Sequence, residues 1–377
     1  MSLNAQQKNA RIILFPFFGN SVGGSHVAAV RAMRCMSKDT QPIIVLFQIG
    51  ALSDYLTSQA IEYTIAGSPR YKSFGKTRLT ALLSVLYYSF FAMRYLRRHR
   101  TAIVHTNDSK MHLVWGVACA MLNVPHVWHQ HSTFPISRLT SFLLDRAERI
   151  IAASEYIRDS YQGNASQSLS LIHSPIDNSA IAKLDLDRLA QKVLSSTKQE
   201  IVVLSLCNLR PVKRPEYWAS VVGELSQQSR RRIRVVHVGR DENRCLSAMT
   251  QQWVSKNIQI TVENVGFVND VVPYIDRADF LLATAKEGGL GLSLIEAMSR
   301  GVPVFAADSG GHREIVQHGV NGCLIPTDNA IHAARIILDM MSSMSQLEKL
   351  VRNGFTTCEK FKHDSFSQNI EREYDLV

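Results

Sequence analysis

Glu287 and Glu296 frame a run of glycines at 288, 289 and 291, and here the sequence holds its densest chemistry. Glycine carries no Cβ, so Gly288, Gly289 and Gly291 let backbone amides come close to a ligand. A short helix is expected from about Leu292, with Leu290 just ahead of it. Its free N–H groups and the positive end of its dipole point into the same space. Such a place takes an anion. Two carboxylates beside it add acceptors for hydroxyl groups, so a nucleotide-activated sugar suits it better than a bare phosphate. Packing of Leu292, Ile295 and Met298 against a core explains the helix, but not three glycines between two acids. Gly301 then stops the helix, and a new strand is expected to open at Val302.

A second charged loop lies upstream, in Asn208-Leu-Arg210-Pro-Val-Lys213-Arg214-Pro215. It follows an apolar β-type run and precedes a helix that Pro215 is suited to start. Opposite the glycine loop, Arg210 and Lys213 would clamp a diphosphate. Charge-assisted contacts of that kind contribute roughly 1.5–3 kcal/mol each. A solvated basic turn is the alternative. Near the start of the chain, Gly23-Gly24-Ser25-His26 joins a first strand to a helix. It lacks the G-x-G-x-x-G spacing of dinucleotide sites, so a phosphate or acceptor loop and a plain tight turn both fit it. His129 and His131 form a His-x-His with no third ligand nearby in sequence, which argues against a metal. His129 reads either as a polar contact facing a cleft or as a core histidine. Ser309-Gly-Gly-His-Arg-Glu314 makes another strand-to-helix glycine turn, where Glu314 has at most a minor role.

The elements that must hold these loops alternate almost without a break. Strands are expected at 12–15, 43–47, 103–105, 126–129, 150–153, 201–206, 235–238, 259–262, 280–283 and 302–306. Helical patterns fall between them, among them 25–36, 79–97, 215–228 and 330–342. Continuously apolar strands alternating with helices imply parallel sheets covered on both faces. The rhythm falters across the polar stretch 177–199 and then restarts. In such folds ligands bind beyond the carboxyl ends of the strands, where all the loops above lie.

With 377 residues, two domains of ordinary size are expected. Hydrophobic residues make up 46% and charged residues 20%, the balance of a globular chain. Residues 1–10 are polar, so no signal peptide is expected. The six cysteines are scattered without metal-like spacing, which suits a reducing cytoplasm. A net charge of +10 calls for anionic partners. Nucleic acid is not the expected one, because no platform of interleaved aromatic and basic residues is visible. Residues 77–100 place an apolar run of about fifteen positions, short of the roughly 20 that span a bilayer, before a cationic end. Two readings stand for it: a buried helix with a solvated basic tip, or a helix lying on an anionic membrane surface.

Taken together, these residues resemble the family-4 glycosyltransferases of the GT-B fold. Glu287 to Glu296, Ala297-Met-Ser-Arg-Gly301-Val-Pro303, Gly310-Gly-His-Arg-Glu314 and Gly319-Val-Asn-Gly322 follow the family's order. Asn208-Leu-Arg-Pro-Val-Lys213 resembles its phosphate turn. In the first half, Gly23-Gly24, His129, Ile151-Ala-Ala-Ser154 and His173-Ser-Pro175 fall where the family has similar elements. The chain departs from the family in two places. The family has seven residues between its glutamates and this chain has eight, which puts Gly288 at the usual first-acid position. The phosphate turn also reads Cys207-Asn208-Leu209 where Gly-Arg-Leu is usual.

The resemblance implies an α/β architecture of two Rossmann-like, doubly wound domains facing across a cleft. Residues 1–178 would form the acceptor-side domain, with 361–377 packing back onto it, and 198–360 the nucleotide-sugar donor domain. It implies a retaining transfer of a hexose from a UDP- or GDP-linked donor, without metal or cofactor. The acceptor would be a glycan or lipid-linked sugar of cell-surface polysaccharide or lipopolysaccharide. The enzyme would be cytoplasmic or peripheral at the inner face of the membrane. Arg210, Lys213 and the helix start at Gly289 to Leu292 would hold the diphosphate, and Glu296 the ribose. Glu287 would contact the sugar, while His129 and Gly23-Gly24-Ser25 would line the acceptor side. A sugar-nucleotide epimerase shares the fold and donor and is the alternative. A nucleotide- or nucleic-acid-binding protein without transferase activity is more remote.

Overall fold

The computed structural model describes residues 10–67, 77–99, 103–133, 136–161, 169–176, 200–229, 231–241 and 244–377. The stretch 177–199, where the sequence rhythm falters, lies outside them. The chain divides into two compact units, one of Met1–Pro175 with His363–Val377, the other of Ile176–Lys362.

The first unit is built on seven described strands. They are β1 (Arg11–Phe17), β2 (Thr40–Leu46), β3 (Tyr63–Ile65), β4 (Ile103–Thr106), β5 (His126–Gln130), β6 (Arg149–Ala152) and β7 (Leu169–Leu171). All pair in parallel, in the order β3-β2-β1-β4-β5-β6-β7. The chain therefore reverses its direction of winding between β1 and β4. Leu14, Val45 and Val104 on one face pack with Tyr88, Ala92 and Trp115 from the helices Arg78–Arg98 and Ser109–Leu122. The C-terminal helix His363–Asp375 is tied to this unit. Glu373 accepts from Arg149 Nε at 2.6 Å, and Glu371 accepts from the Ser37 amide and the Thr40 hydroxyl.

The second unit repeats the plan with β8 (Glu200–Leu206), β9 (Arg232–Val238), β10 (Ile260–Gly266), β11 (Phe280–Ala283), β12 (Val304–Ala307) and β13 (Cys323–Ile325). Their order, β10-β9-β8-β11-β12-β13, is again parallel and reverses between β8 and β11. Alternation along each strand feeds two separate cores, as a sheet covered on both faces requires. Val203, Val235, Phe280 and Phe305 join Trp218 and Trp253 on one side. Leu204, Val236, Leu281 and Val304 join Leu294 and Ile295 on the other.

All ten strands expected from the sequence are present, with ends shifted by a few residues. The strand expected at Val302 begins at Val304, because Pro303 has no N–H to give a ladder and uses its carbonyl to receive the Leu281 amide. Three strands went unpredicted: β3, β7 and β13, each three residues long and each at a sheet edge. Three residues are too few for a period to show.

Candidate active site

In a doubly wound sheet the crevice for a ligand opens where the winding reverses, beyond the carboxyl ends of the strands. In the second unit that point lies between β8 and β11, and the charged loop and the glycine loop both issue from it. They are laced together by one side-chain and one backbone hydrogen bond. Thr284 Oγ1 donates to the Lys213 carbonyl at 2.9 Å, and the Lys286 amide donates to the Val212 carbonyl at 3.4 Å.

A third loop, after β12, closes on the same place. The Gly311 amide donates to the Gly288 carbonyl at 3.4 Å, and the Ser309 hydroxyl donates to the Lys286 carbonyl. A Cβ on Gly311 would stand 2.3 Å from the Gly289 oxygen, so only glycine permits this approach. At Gly288 the demand is weaker, since a Cβ would meet Ala285 at an ordinary 3.4 Å. The loop after β9 joins too. Gly239 has φ +138°, and a Cβ there would lie 2.1 Å from the Cys207 carbonyl oxygen. Beside it the Arg240 amide donates to Asn208 Oδ1 at 2.9 Å.

The three cations of the charged loop part company. Arg214 takes a left-handed backbone at φ 52°, donates to the Thr327 carbonyl at 2.6 Å and lies over the Tyr217 ring. It holds the fold. Arg210 is exposed and Lys213 is half-buried. Lys213 stands near His312, which is itself buried at the start of the short helix His312–Ile315. Burial first, and then the positive charge of Lys213, bring the His312 pKa down to about 4. The ring is therefore neutral near pH 7. Its Nδ1 donates to the Ala307 carbonyl at 3.1 Å, because a carbonyl can only accept. His312 has no expected role from its local sequence; the glycine pair just ahead of it is the available signal.

Glu287 and Glu296 stand differently. Glu296 is half-buried on the helix Leu292–Met298, which Gly291 opens with φ 88°. Glu287 is exposed on the loop before it. Leu290 is buried among Leu294 and Ile295, so it anchors the loop from below, while Leu292 is half-buried.

In the first unit the equivalent point lies between β1 and β4. Gly23, Gly24 and Ser25 are there, and the Gly23 amide donates to His26 Nδ1 at 3.1 Å. No atom lies within 4 Å of a Cβ built on Gly24. His129, near the end of β5, is 2% exposed. It belongs to a chain of rings that the sequence reading did not foresee. Tyr374 lies 2.6 Å from His105 Nδ1, and His105 Nε2 lies 3.2 Å from His129 Nδ1. His131 stacks on His129 at 4.2 Å and reaches Asn107 Oδ1 at 3.1 Å. A parallel chain runs from His112 through Thr106 to His126. Burial pushes His105, His112 and His129 well below the usual histidine value, and His126 down to about 3. All four are neutral near pH 7. The second unit thus holds Arg210, Lys213, Glu287, Gly288 to Leu292 and Glu296, whereas Gly23 to Ser25 and His129 belong to the first.

Two family models divide the chain between them. The one described as Glycosyltransferase Family 4 matches residues 22–179, and the one described as Glycosyl transferases group 1 matches residues 187–357. The chain belongs to the family-4 glycosyltransferases. Its fold agrees with solved GT-B structures of low identity. Anabaena Alr3699/HepE in complex with UDP-glucose superposes with a TM-score of 0.77 at 21% identity, over 97% of this chain and 100% of that one. Sucrose-phosphate synthase from Thermosynechococcus elongatus gives 0.75 at 16%, over 97% and 98%. Among curated relatives, this glycosyltransferase is 32% identical to the putative glycosyltransferase EpsD of Bacillus subtilis over 29% of its own length. That match spans 28% of EpsD. A match to the N-acetyl-alpha-D-glucosaminyl L-malate synthase of Bacillus anthracis, at 22% identity over 64% of this chain, spans 62% of that relative. A longer match, 22% identical over 83% of this chain and 84% of the relative, is to an Escherichia coli enzyme. It is named UDP-Gal:alpha-D-GlcNAc-diphosphoundecaprenol alpha-1,3-galactosyltransferase.

Proposed function

We propose that this glycosyltransferase moves a hexose from a UDP-linked donor to a glycan or lipid-linked acceptor, with retention at the anomeric carbon, in surface-polysaccharide synthesis. The observation that carries the reading is the meeting of three strand-end loops of the second unit around Lys213, with a glycine-opened helix start beside them. The names of the Escherichia coli galactosyltransferase and of the UDP-glucose complex support the choice of UDP and of a lipid-linked acceptor.

In this reading the bond from the anomeric carbon to the diphosphate oxygen breaks and its electron pair stays on the diphosphate. Lys213 and Arg210 offset that charge, together with the amides that begin the helix at Gly291 and Leu292. Fixed charges of this kind, aimed at developing charge, are usually the largest part of catalysis. The acceptor hydroxyl forms the new bond on the same face, and its proton passes to the departing phosphate oxygen. Glu296 accepts hydrogen bonds from the ribose and Glu287 from hydroxyls of the hexose. On the acceptor side, the Gly23-Gly24-Ser25 loop meets uncharged hydroxyl groups, while His129, buried and neutral, adds no charge there. This assignment needs no metal ion, since the protein's own cations face the diphosphate.

The test is product analysis. Incubated with UDP-hexoses and a diphospholipid-linked sugar, the protein should release UDP and yield a product whose new linkage keeps the donor's anomeric configuration by NMR. An inverted linkage would overturn retention. A changed nucleotide sugar with no transfer would make the protein an epimerase instead.

A further inference from the structure

Helix Arg78–Arg98 has two unlike faces. Val85, Tyr88, Ser89, Ala92 and Leu96 are buried in the first unit, and Ser89 Oγ lies 2.8 Å from the Val114 carbonyl of the neighbouring helix. The other face exposes Leu79 at 67%, Leu83 at 56%, Leu86 at 52% and Phe90 at 58%, with Leu82 beside them. Steps of four, three and four residues keep this stripe on one side for three turns. Large apolar side chains exposed together mark a surface that meets something.

Two facts say what. The first is charge. Between Glu62 and Asp108 the sequence holds eight Lys or Arg and no Asp or Glu, set on both sides of the apolar stripe. At the helix's C-terminal end, Arg94, Arg97 and Arg98 are exposed. The second is attachment. The helix has 21 residues, so it is long and apolar enough to cross a bilayer by length and composition, more than the fifteen-residue apolar run had suggested. Yet its inner face is fixed in the core formed with Leu14 of β1, Val45 of β2 and Val104 of β4, which holds it against a surface rather than through one.

We infer that the Leu79–Phe90 stripe, with its flanking arginines, lies on a bilayer of anionic phospholipid, the apolar side chains at the acyl boundary and the guanidinium groups at the headgroups. This is the arrangement of an interfacial helix, and the exposed Arg94, Arg97 and Arg98 beside the stripe favour an anionic partner surface over a basic one. The inference rests on the first unit alone and stands whether or not the donor assignment does.

Co-sedimentation of the full chain with vesicles tests it. Binding should be strong to phosphatidylcholine vesicles containing phosphatidylglycerol, weak to phosphatidylcholine alone, and reduced by salt. Leu83→Ser with Phe90→Ser should lower partitioning by about tenfold or more, through lost apolar burial. Arg97→Glu with Arg98→Glu should lower it to a similar extent and flatten its salt dependence. The circular dichroism spectrum and UDP binding of both variants should match wild type, which separates lost docking from lost folding or a failed donor site. Absence of wild-type binding to anionic vesicles, equal binding to neutral ones, or unchanged partitioning in both variants would overturn the inference. So would a concentration-dependent dimer that the Leu83/Phe90 variant dissolves, without vesicle binding by wild type, since the stripe would then join two copies of this chain.

Discussion

The two sheets share one strand order and one point of reversal, yet their strand ends carry opposite chemistry. In the first unit, the ends of β4 and β5 hold His105 and His129, which are buried, bonded to one another, tied through His105 to Tyr374, and neutral. In the second, the ends of β8, β11 and β12 hold glycines and cations, with Arg210 exposed and Lys213 half-buried. The scaffold sets where a ligand goes, and the side chains at the strand ends set its charge. A neutral, pre-bonded lining suits hydroxyl groups. Backbone held close by glycine, with lysine beside it, suits a diphosphate.

The sharpest way to break this contrast is acid. A histidine whose folded pKa lies below its unfolded value of about 6.5 costs stability as pH falls below that value, because the unfolded chain takes up the proton first. The loss grows by about 1.4 kcal/mol per pH unit for each such group, until the folded pKa is reached. His105, His112, His126 and His129 all act in this sense in the first unit. In the second, His237 and His312 do. Hydrogen exchange at pH 7 and pH 5 should therefore show protection in β4 and β5 falling further than in β8 and β11. An equal loss in both would remove the electrostatic difference on which the comparison rests.

Steric tests come next. Gly311→Val should cost roughly 100-fold in UDP affinity, or about 3 kcal/mol, by driving the loops after β11 and β12 apart. Gly24→Ala should leave UDP affinity within about twofold, because no atom stands near the added carbon. A tolerant Gly311 would mean that the two loops need not touch.

The two acids carry smaller effects than Gly311 and sharpen the picture within one unit. Glu296→Ala should weaken donor binding by about tenfold, leaving ribose hydroxyls without acceptors. Glu287→Gln should lower turnover by about the same factor while donor binding stays nearly unchanged. Wild-type turnover in Glu287→Gln would show that the extra residue in the glycine loop takes that carboxylate out of the reaction.

Much of this is legible in the sequence. Apolar strands such as 201–206 and 280–283 announce themselves by composition, and the loops after them carry glycines and cations that packing does not explain. What escaped the sequence depends on distant pairing. Nothing local shows that Tyr374 reaches His105, or that Gly311 is there for the Gly289 carbonyl rather than for its own turn. Arg214 looked like its neighbours in sequence and turned out to hold Thr327 and Tyr217, because its left-handed backbone aims it away from them. The edge strands β3, β7 and β13 were missed because pairing at a sheet edge, rather than any apolar period, makes them strands.

The central claim is that the loops after β8, β11 and β12 hold a diphosphate through Lys213. Calorimetric titration of UDP and of uridine into wild type and Lys213→Ala tests it most directly. Wild type should bind UDP far more tightly than uridine, and Lys213→Ala should lose roughly 10- to 100-fold for UDP with almost no change for uridine. Equal losses for both ligands, or no loss for UDP, would contradict it.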